Sequence, residues 1–168
     1  MDAIPDLRPV SEAYASLPVA EAFTWQDASH ELGDGEWYLV GFRSIRRPDA
    51  DEVRLNDYDE MAHQEAAAAP GFVHYFKGPV ASDGSCLSFC LWTSRAEART
   101  AARGSAHLEA VTLLDEMYEQ YALEFLRVSR QAGGPLTFEA YDRPRSAPGA
   151  PLPEPRTPGP AVRPAPAF

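Results

Sequence analysis

Cysteine is scarce in this 168-residue chain, two residues in all, and that excludes a disulfide framework; a reducing cytosol suits such a sequence. Long hydrophobic runs are missing. Nothing approaches the roughly 18 apolar residues that a membrane span needs. Residues 1–10 hold charges and prolines where a signal peptide would be apolar, so a cytoplasmic location is expected. Positive charge is short: 15 Lys and Arg stand against 25 Asp and Glu, a net charge of −10. That field repels phosphate backbones and anionic lipid, so neither nucleic acid nor membrane is expected as a partner. The sequence also lacks G-x-G-x-x-G, a P-loop and a G-x-S-x-G elbow, which leaves nucleotide cofactors and serine hydrolysis without support.

Proline, by contrast, is plentiful and unevenly placed. Nine of the sixteen prolines fall in residues 143–168, among Ala, Arg and Gly. A segment so poor in large apolar side chains cannot offset its ordering entropy, and is expected to be a disordered tail. Residues 1–35 read as an arm with two short helices before Gly33-Asp34-Gly35. Its Phe23 and Trp25 are costly to leave in water, so the arm is expected to pack on the main domain at residues 36–142.

Within residues 36–130 the period of the apolar pattern changes in a regular order. Residues 37–45 (WYLVGFRSI) form a nearly continuous apolar run and predict a strand. Residues 49–69 carry Leu55, Tyr58, Ala62, Ala66 and Ala69 on one helical stripe, stopped by Pro70-Gly71. Two strands follow, at 72–77 (FVHYFK) and 86–93 (CLSFCLWT), with Ser82-Asp83-Gly84 in the connection. Ser94-Arg95-Ala96-Glu97 fits a helix-start capping box, and the helix is expected to break near Gly104-Ser105. Residues 121–128 (YALEFLRV) close the series, with one more extended segment at 136–141. The order β-α-β-β-α-β is solved by two right-handed crossovers joined by a hairpin. This is an α+β, ferredoxin-like antiparallel sheet with both helices on one face.

Helices on one face leave the other to be covered. The third strand carries Leu87, Phe89 and Leu91 on one side and Cys86, Ser88, Cys90 and Trp92 on the other. The first carries Tyr38, Val40 and Phe42 opposite Trp37, Leu39, Gly41 and Arg43. Neither strand has the polar side of a sheet open to water. A homodimer whose sheets face each other satisfies this most simply, the pair closing as a dimeric α/β barrel. The alternative is that the arm, with Phe23 and Trp25, covers the sheet within one chain. Cys86 and Cys90 are about 13 Å apart along an extended strand, too far for a mutual disulfide, and are expected to be buried free thiols.

The strand order, Leu91-Trp92-Thr93-Ser94, the following Arg95-Ala96-Glu97-Ala98 and the later Ser105-Ala106-His107 resemble the antibiotic-biosynthesis-monooxygenase branch of the dimeric α/β-barrel superfamily. The resemblance spans about residues 36–130. It implies a small-molecule-binding homodimer, with cofactor-independent oxygenation of a small aromatic or apolar substrate as one activity. A haem- or metabolite-binding module without turnover and a structural dimer with a filled barrel are the alternatives. Trp92 matches the tryptophan such proteins place near the pocket, a flat wall for an aromatic substrate or for haem. His107 matches a helix histidine that is an iron ligand in haem-degrading members; a neutral imidazole there is also a base. Oxygenases of this branch pair the tryptophan with an asparagine in the sheet; here Ser88 and Cys90 occupy the strand, and Asn56, on a helix, is the one asparagine.

Read from the residues alone, His30, His63 and His74 are further candidates. His74 is expected to share a strand face with Phe72 and Phe76, in a mostly apolar layer where an imidazole needs a partner or stays neutral. Arg43 and Glu124 reach the same layer if register permits, as an Arg43–His74–Glu124 cluster. The expected site is therefore catalytic at His74, His107 and Arg43, with substrate held by Trp92, Phe72, Phe76 and Glu124, no metal, and no cofactor unless haem.

Overall fold

The computed structural model describes residues 4, 6–28 and 32–146. Of the expected disordered tail at 143–168, residues 147–168 lie outside the described residues, as does the candidate His30, whereas residues 145–146 pair with the sheet. The chain opens with a 3-10 turn (Tyr14–Ser16) and two single-turn helices, α1 (Val19–Ala22) and α2 (Trp25–Ala28). Then follow β1 (Gly35–Arg46), α3 (Glu52–Ala67), β2 (Phe72–Phe76), β3 (Ser85–Trp92), α4 (Arg95–Ala101), α5 (Ser105–Val111), α6 (Leu114–Met117) and β4 (Tyr118–Arg130). Two short strands, β5 (Thr137–Ala140) and β6 (Arg145–Ser146), complete the order. Among the described residues no helix is long and apolar enough to cross a membrane.

Local chemistry sets the boundaries. Asp51 caps α3, its carboxylate accepting from the Arg54 N–H at 3.0 Å. Ser94 caps α4 by accepting from the Glu97 N–H at 3.3 Å. The second half of the expected box differs: the Glu97 carboxylate accepts the hydroxyls of Ser94 and Thr93. Gly71, at φ +78°, follows α3 in a left-handed conformation that a side chain resists. The expected break near Gly104 is real and separates α4 from α5; a second break, at Thr112-Leu113, separates α5 from α6.

The sheet order is β2-β3-β1-β4-β5, with β6 also on β4, and every pair is antiparallel. Four of these strands, β4-β1-β3-β2, are the ferredoxin-like arrangement that the β-α-β-β-α-β order requires. Register places Leu39 between Leu91 and Leu126, and Val40 between Cys90 and Phe125. Successive residues point to opposite faces, so the first trio belongs to one side of the sheet and the second to the other.

The first side is closed by the arm. Leu39, Leu87 and Leu91 are fully buried beneath Ile4, Tyr14, Val19, Ala22, Phe23 and Trp25. Phe23 lies 4.8 Å from Phe76 and 5.3 Å from Phe89, centroid to centroid, and Trp25 lies 5.2 Å from Phe89 and 5.1 Å from Phe138. The arm also makes its own framework: the Val10 N–H donates to Ala22 at 3.0 Å, and the Trp25 indole N–H to Val19 at 2.8 Å. The Tyr14 hydroxyl donates to the Pro79 carbonyl at 2.6 Å, and a Cβ at Gly78 would stand 2.5 Å from that hydroxyl. Of the two covers expected for this face, the arm is the one seen within the chain: Ile4 and residues 6–25 pack onto it, because Phe23 and Trp25 gain by burial against an apolar sheet already in reach.

A candidate ligand groove on the helix side

The opposite side of the sheet has a core in two pieces. Near one end Tyr38, Trp92 and Ala98 are buried together, with Val40, Phe72, Cys90 and Phe125 partly buried against them. Toward the other, Leu55, Leu113 and Met117 form a second cluster with Tyr58 and Tyr118. The sheet between them is less well covered. Val40, Cys90 and Phe125 form one cross-strand row, and Phe42, Ser88 and Leu123 the next. All of these remain only partly buried. The reason lies in α5, which packs on α3 and buries none of its residues; its Leu108 and Val111 are 53% and 45% exposed. α5 thus keeps an unburied apolar stripe, and the helix side of the sheet keeps a half-covered apolar strip.

The polar groups near the floor are mostly engaged. Burial, with the charge of Asp59 adding, pushes the Cys90 thiol up to about 12. The Tyr75 hydroxyl donates to Asp59 at 2.5 Å, and burial and that carboxylate push the phenol well up. Ser88 accepts from the Gly78 N–H at 3.0 Å. The six residues of the two rows carry no charge themselves, but charge borders them: Arg145 pairs with Leu123 and holds its guanidinium 5.9 Å from the Phe125 ring centroid, and the Asp59 carboxylate stands beside Tyr75. The floor suits a flat, mostly apolar molecule.

The expected site residues fall in three places. Trp92 and Phe72 sit together at the end of the groove, rings edge to face at 5.5 Å, as its inner wall. Arg43, His74, Phe76 and Glu124 lie on the arm side. A register shift between Phe72 and His74 separates Phe72 from Phe76: Phe72 pairs with Trp92, whereas His74 pairs with Leu91 and Phe76 with Phe89. This irregularity corrects the expected shared face, so one pocket cannot hold the four substrate-binding candidates. His107 is elsewhere again, exposed at the start of α5, its backbone N–H donating to Glu65 at 3.2 Å.

Arg43 and Glu124 do meet, Nε to Oε1 at 2.5 Å. The remaining guanidinium nitrogens donate to the arm, to the Ala15 carbonyl and, at 3.0 Å, to the Leu17 carbonyl. Arg43 is 5% exposed. A buried guanidinium so occupied fastens the arm to the sheet. His74 is outside the pair. It sits opposite Leu91, four residues along from Leu87, the partner of Arg43. That is about 13 Å along the strands and two strand spacings, about 10 Å, across. The three-residue cluster is therefore two separate features.

His74 faces the arm and His107 is exposed, while the His63 ring lies against Tyr75 and Phe72 at 4.9 and 6.0 Å. Among the described residues no cluster of His, Cys, Asp and Glu could hold a metal. Cys86 and Cys90 are free thiols. The floor residues Phe42, Leu123 and Phe125 were legible only as strand pattern; their partial exposure depends on where α5 packs, which no local motif encodes. The Arg95–Asp142 ion pair, 47 residues apart in sequence, carried no signal at all.

Against protein families, residues 1–139 match the model of the PB2B2.08-like family. The chain belongs to the PB2B2.08-like family. That match takes in the arm as well as the sheet, so residues 4–28 lie inside the family's own extent. No curated protein matches the sequence. Among solved structures the chain is similar to SnoaB, a cofactor-independent oxygenase from Streptomyces nogalater, at 18% identity and a TM-score of 0.44 over 59% of this chain and 95% of that one. It is similar to Rv0793 from Mycobacterium tuberculosis at 18% identity and a TM-score of 0.48, over 56% and 95%. PA3566 from Pseudomonas aeruginosa is 12% identical, with a TM-score of 0.49 over 60% and 99%.

Proposed function

We propose that this PB2B2.08-like protein binds a small, flat, apolar molecule in the groove between its helices and the sheet. The supporting observation is the partly buried double row of Val40, Cys90, Phe125, Phe42, Ser88 and Leu123 beside an α5 that buries nothing. A protein that only needed a core would have turned Leu108 and Val111 into that space. Trp92 and Phe72 form the closed end, and the six row residues are uncharged, so the ligand is mostly apolar, with Arg145 over Phe125 the one cation beside it among the described residues. The arm-side residues Arg43, His74, Phe76 and Glu124 maintain the fold. With its other face filled by the arm, the chain needs no second copy to close its sheet, and the reading is of a binding protomer.

The test is titration of the full chain with Nile red and with anthrone, followed by fluorescence and by calorimetry. Saturable binding weakened at least tenfold by Val40→Trp, with the melting temperature held, supports the groove. Absence of binding by either compound, or binding that Val40→Trp and Ser88→Leu leave unchanged, overturns it. Dioxygen uptake with bound anthrone would make the protein an oxygenase, and a Soret band on adding hemin would make it a haem binder; each replaces simple binding as the reading.

A further inference from the structure

We propose that the outer surface of α4 carries a second site, for a small molecule bearing a phosphoryl group. A cleft of about 510 Å³ opens there, and its lining includes Arg95, Arg99, Arg103, Thr100 and Tyr141. Three guanidinium groups on one cleft stand out in a chain of net charge −10. Among the described residues Arg95 alone of the three is hydrogen-bonded to a carboxylate: Asp142, which also feels the charge of Arg99, accepts from its Nε at 2.6 Å and from its Nη2 at 2.9 Å. The same carboxylate accepts the Tyr38 hydroxyl at 2.9 Å, so Asp142 is fixed on the sheet side. Glu97, the acidic residue of α4, is turned to Thr93 and Ser94. Among the described residues Arg99 and Arg103 are exposed and make no ion pair. The cleft therefore carries more positive charge than it neutralises.

Guanidinium forks match the oxygens of phosphoryl groups; Arg95 and Arg99 are one helical turn apart, about 6 Å at Cβ, and Arg103 follows in the turn after the helix, on the same cleft. Tyr141 gives the wall a flat face. It is held edge-on to Tyr38 at 5.4 Å, with the Arg127 guanidinium 4.9 Å from its ring centroid. The field of the whole molecule decides between ligands. An extended polyanion such as nucleic acid meets repulsion from the rest of the surface, whereas a compact phosphorylated molecule presents its charge only to the cleft.

Calorimetry on the full chain at low salt, with inorganic pyrophosphate and citrate as probes, tests the site. Pyrophosphate is expected to bind with Kd below about 1 mM. Arg99→Gln and Arg103→Gln are each expected to weaken it at least tenfold, with Arg99→Lys restoring only part because the fork is lost. Arg54→Gln, on α3, is expected to change nothing. No heat with pyrophosphate, citrate bound as tightly, or an equal loss in Arg54→Gln would each overturn the proposal, the last two by reducing it to unspecific charge attraction.

Discussion

The two sides of this sheet are built from the same kinds of residue and end in opposite states. On the arm side Leu39 and Leu91 are paired across β1 and β3, and neither has any exposed surface. One residue further along β1, on the helix side, Val40 pairs with Cys90 and both remain partly open. The difference comes from the covering segment. The arm is short and irregular and brings Tyr14, Phe23 and Trp25 down individually to fit; the helical side is bridged by rigid pieces, and α5 rests on α3. A strand that is apolar on both faces is thus no guide to which face is core and which is available to a ligand.

That contrast can be attacked most forcefully from the arm. Phe23→Ala removes the ring that touches Tyr14, Trp25, Phe76 and Phe89, and should cost about 4 kcal/mol in urea denaturation. A loss below about 1 kcal/mol would mean that the arm only lies on the sheet. Arg43→Ala leaves Glu124 and two arm carbonyls without their donor, with an expected cost of about 3 kcal/mol. Amide exchange should then rise first in residues 14–25; uniform opening of the whole sheet would refute the fastening role. Leu39→Ala and Val40→Ala make a matched pair across the sheet, expected to cost about 3 and about 1 kcal/mol respectively. Equal losses would show that the groove floor is ordinary core.

The smallest effect is alkaline. A buried thiol is neutral in the folded chain and ionises more readily when unfolded. Cys90, raised to about 12, therefore contributes stability that is complete below about pH 8.5 and is lost as pH rises toward 12. Tyr38 and Tyr118, each pushed up to about 12 mainly by burial, act in the same direction above pH 10. Thermal melts from pH 8 to 11 should decline, and less steeply for Cys90→Ala; an identical slope would place the effect on the phenols.

How much of this was legible follows from the range of the interactions. The strands, the cap at Ser94 and the break near Gly104 are set by neighbours in sequence and could be read directly. The arm's Phe23 and Trp25 announced burial but left two covers open, because apolar contact carries no address. The register shift at Phe72 and His74 arises from pairing with β3, so a strict alternation misassigned one side chain of β2. The Arg43–Glu124 pair was readable as a possibility, since both residues sit on the same face of adjacent strands. The Ala15 and Leu17 carbonyls that complete it belong to a segment with no periodic pattern.

The contact between Trp25 and Phe138 has a bearing on how the molecule comes into being. The indole emerges during synthesis more than a hundred residues before the ring that completes its niche. Until β5 arrives, the leading segment has no finished surface to settle on, and Phe23 and Trp25 must wait in solvent or in transient company. Closing so long a loop is slow compared with joining neighbours, so the docking of Trp25 against Phe138 should follow the pairing of the strands between them.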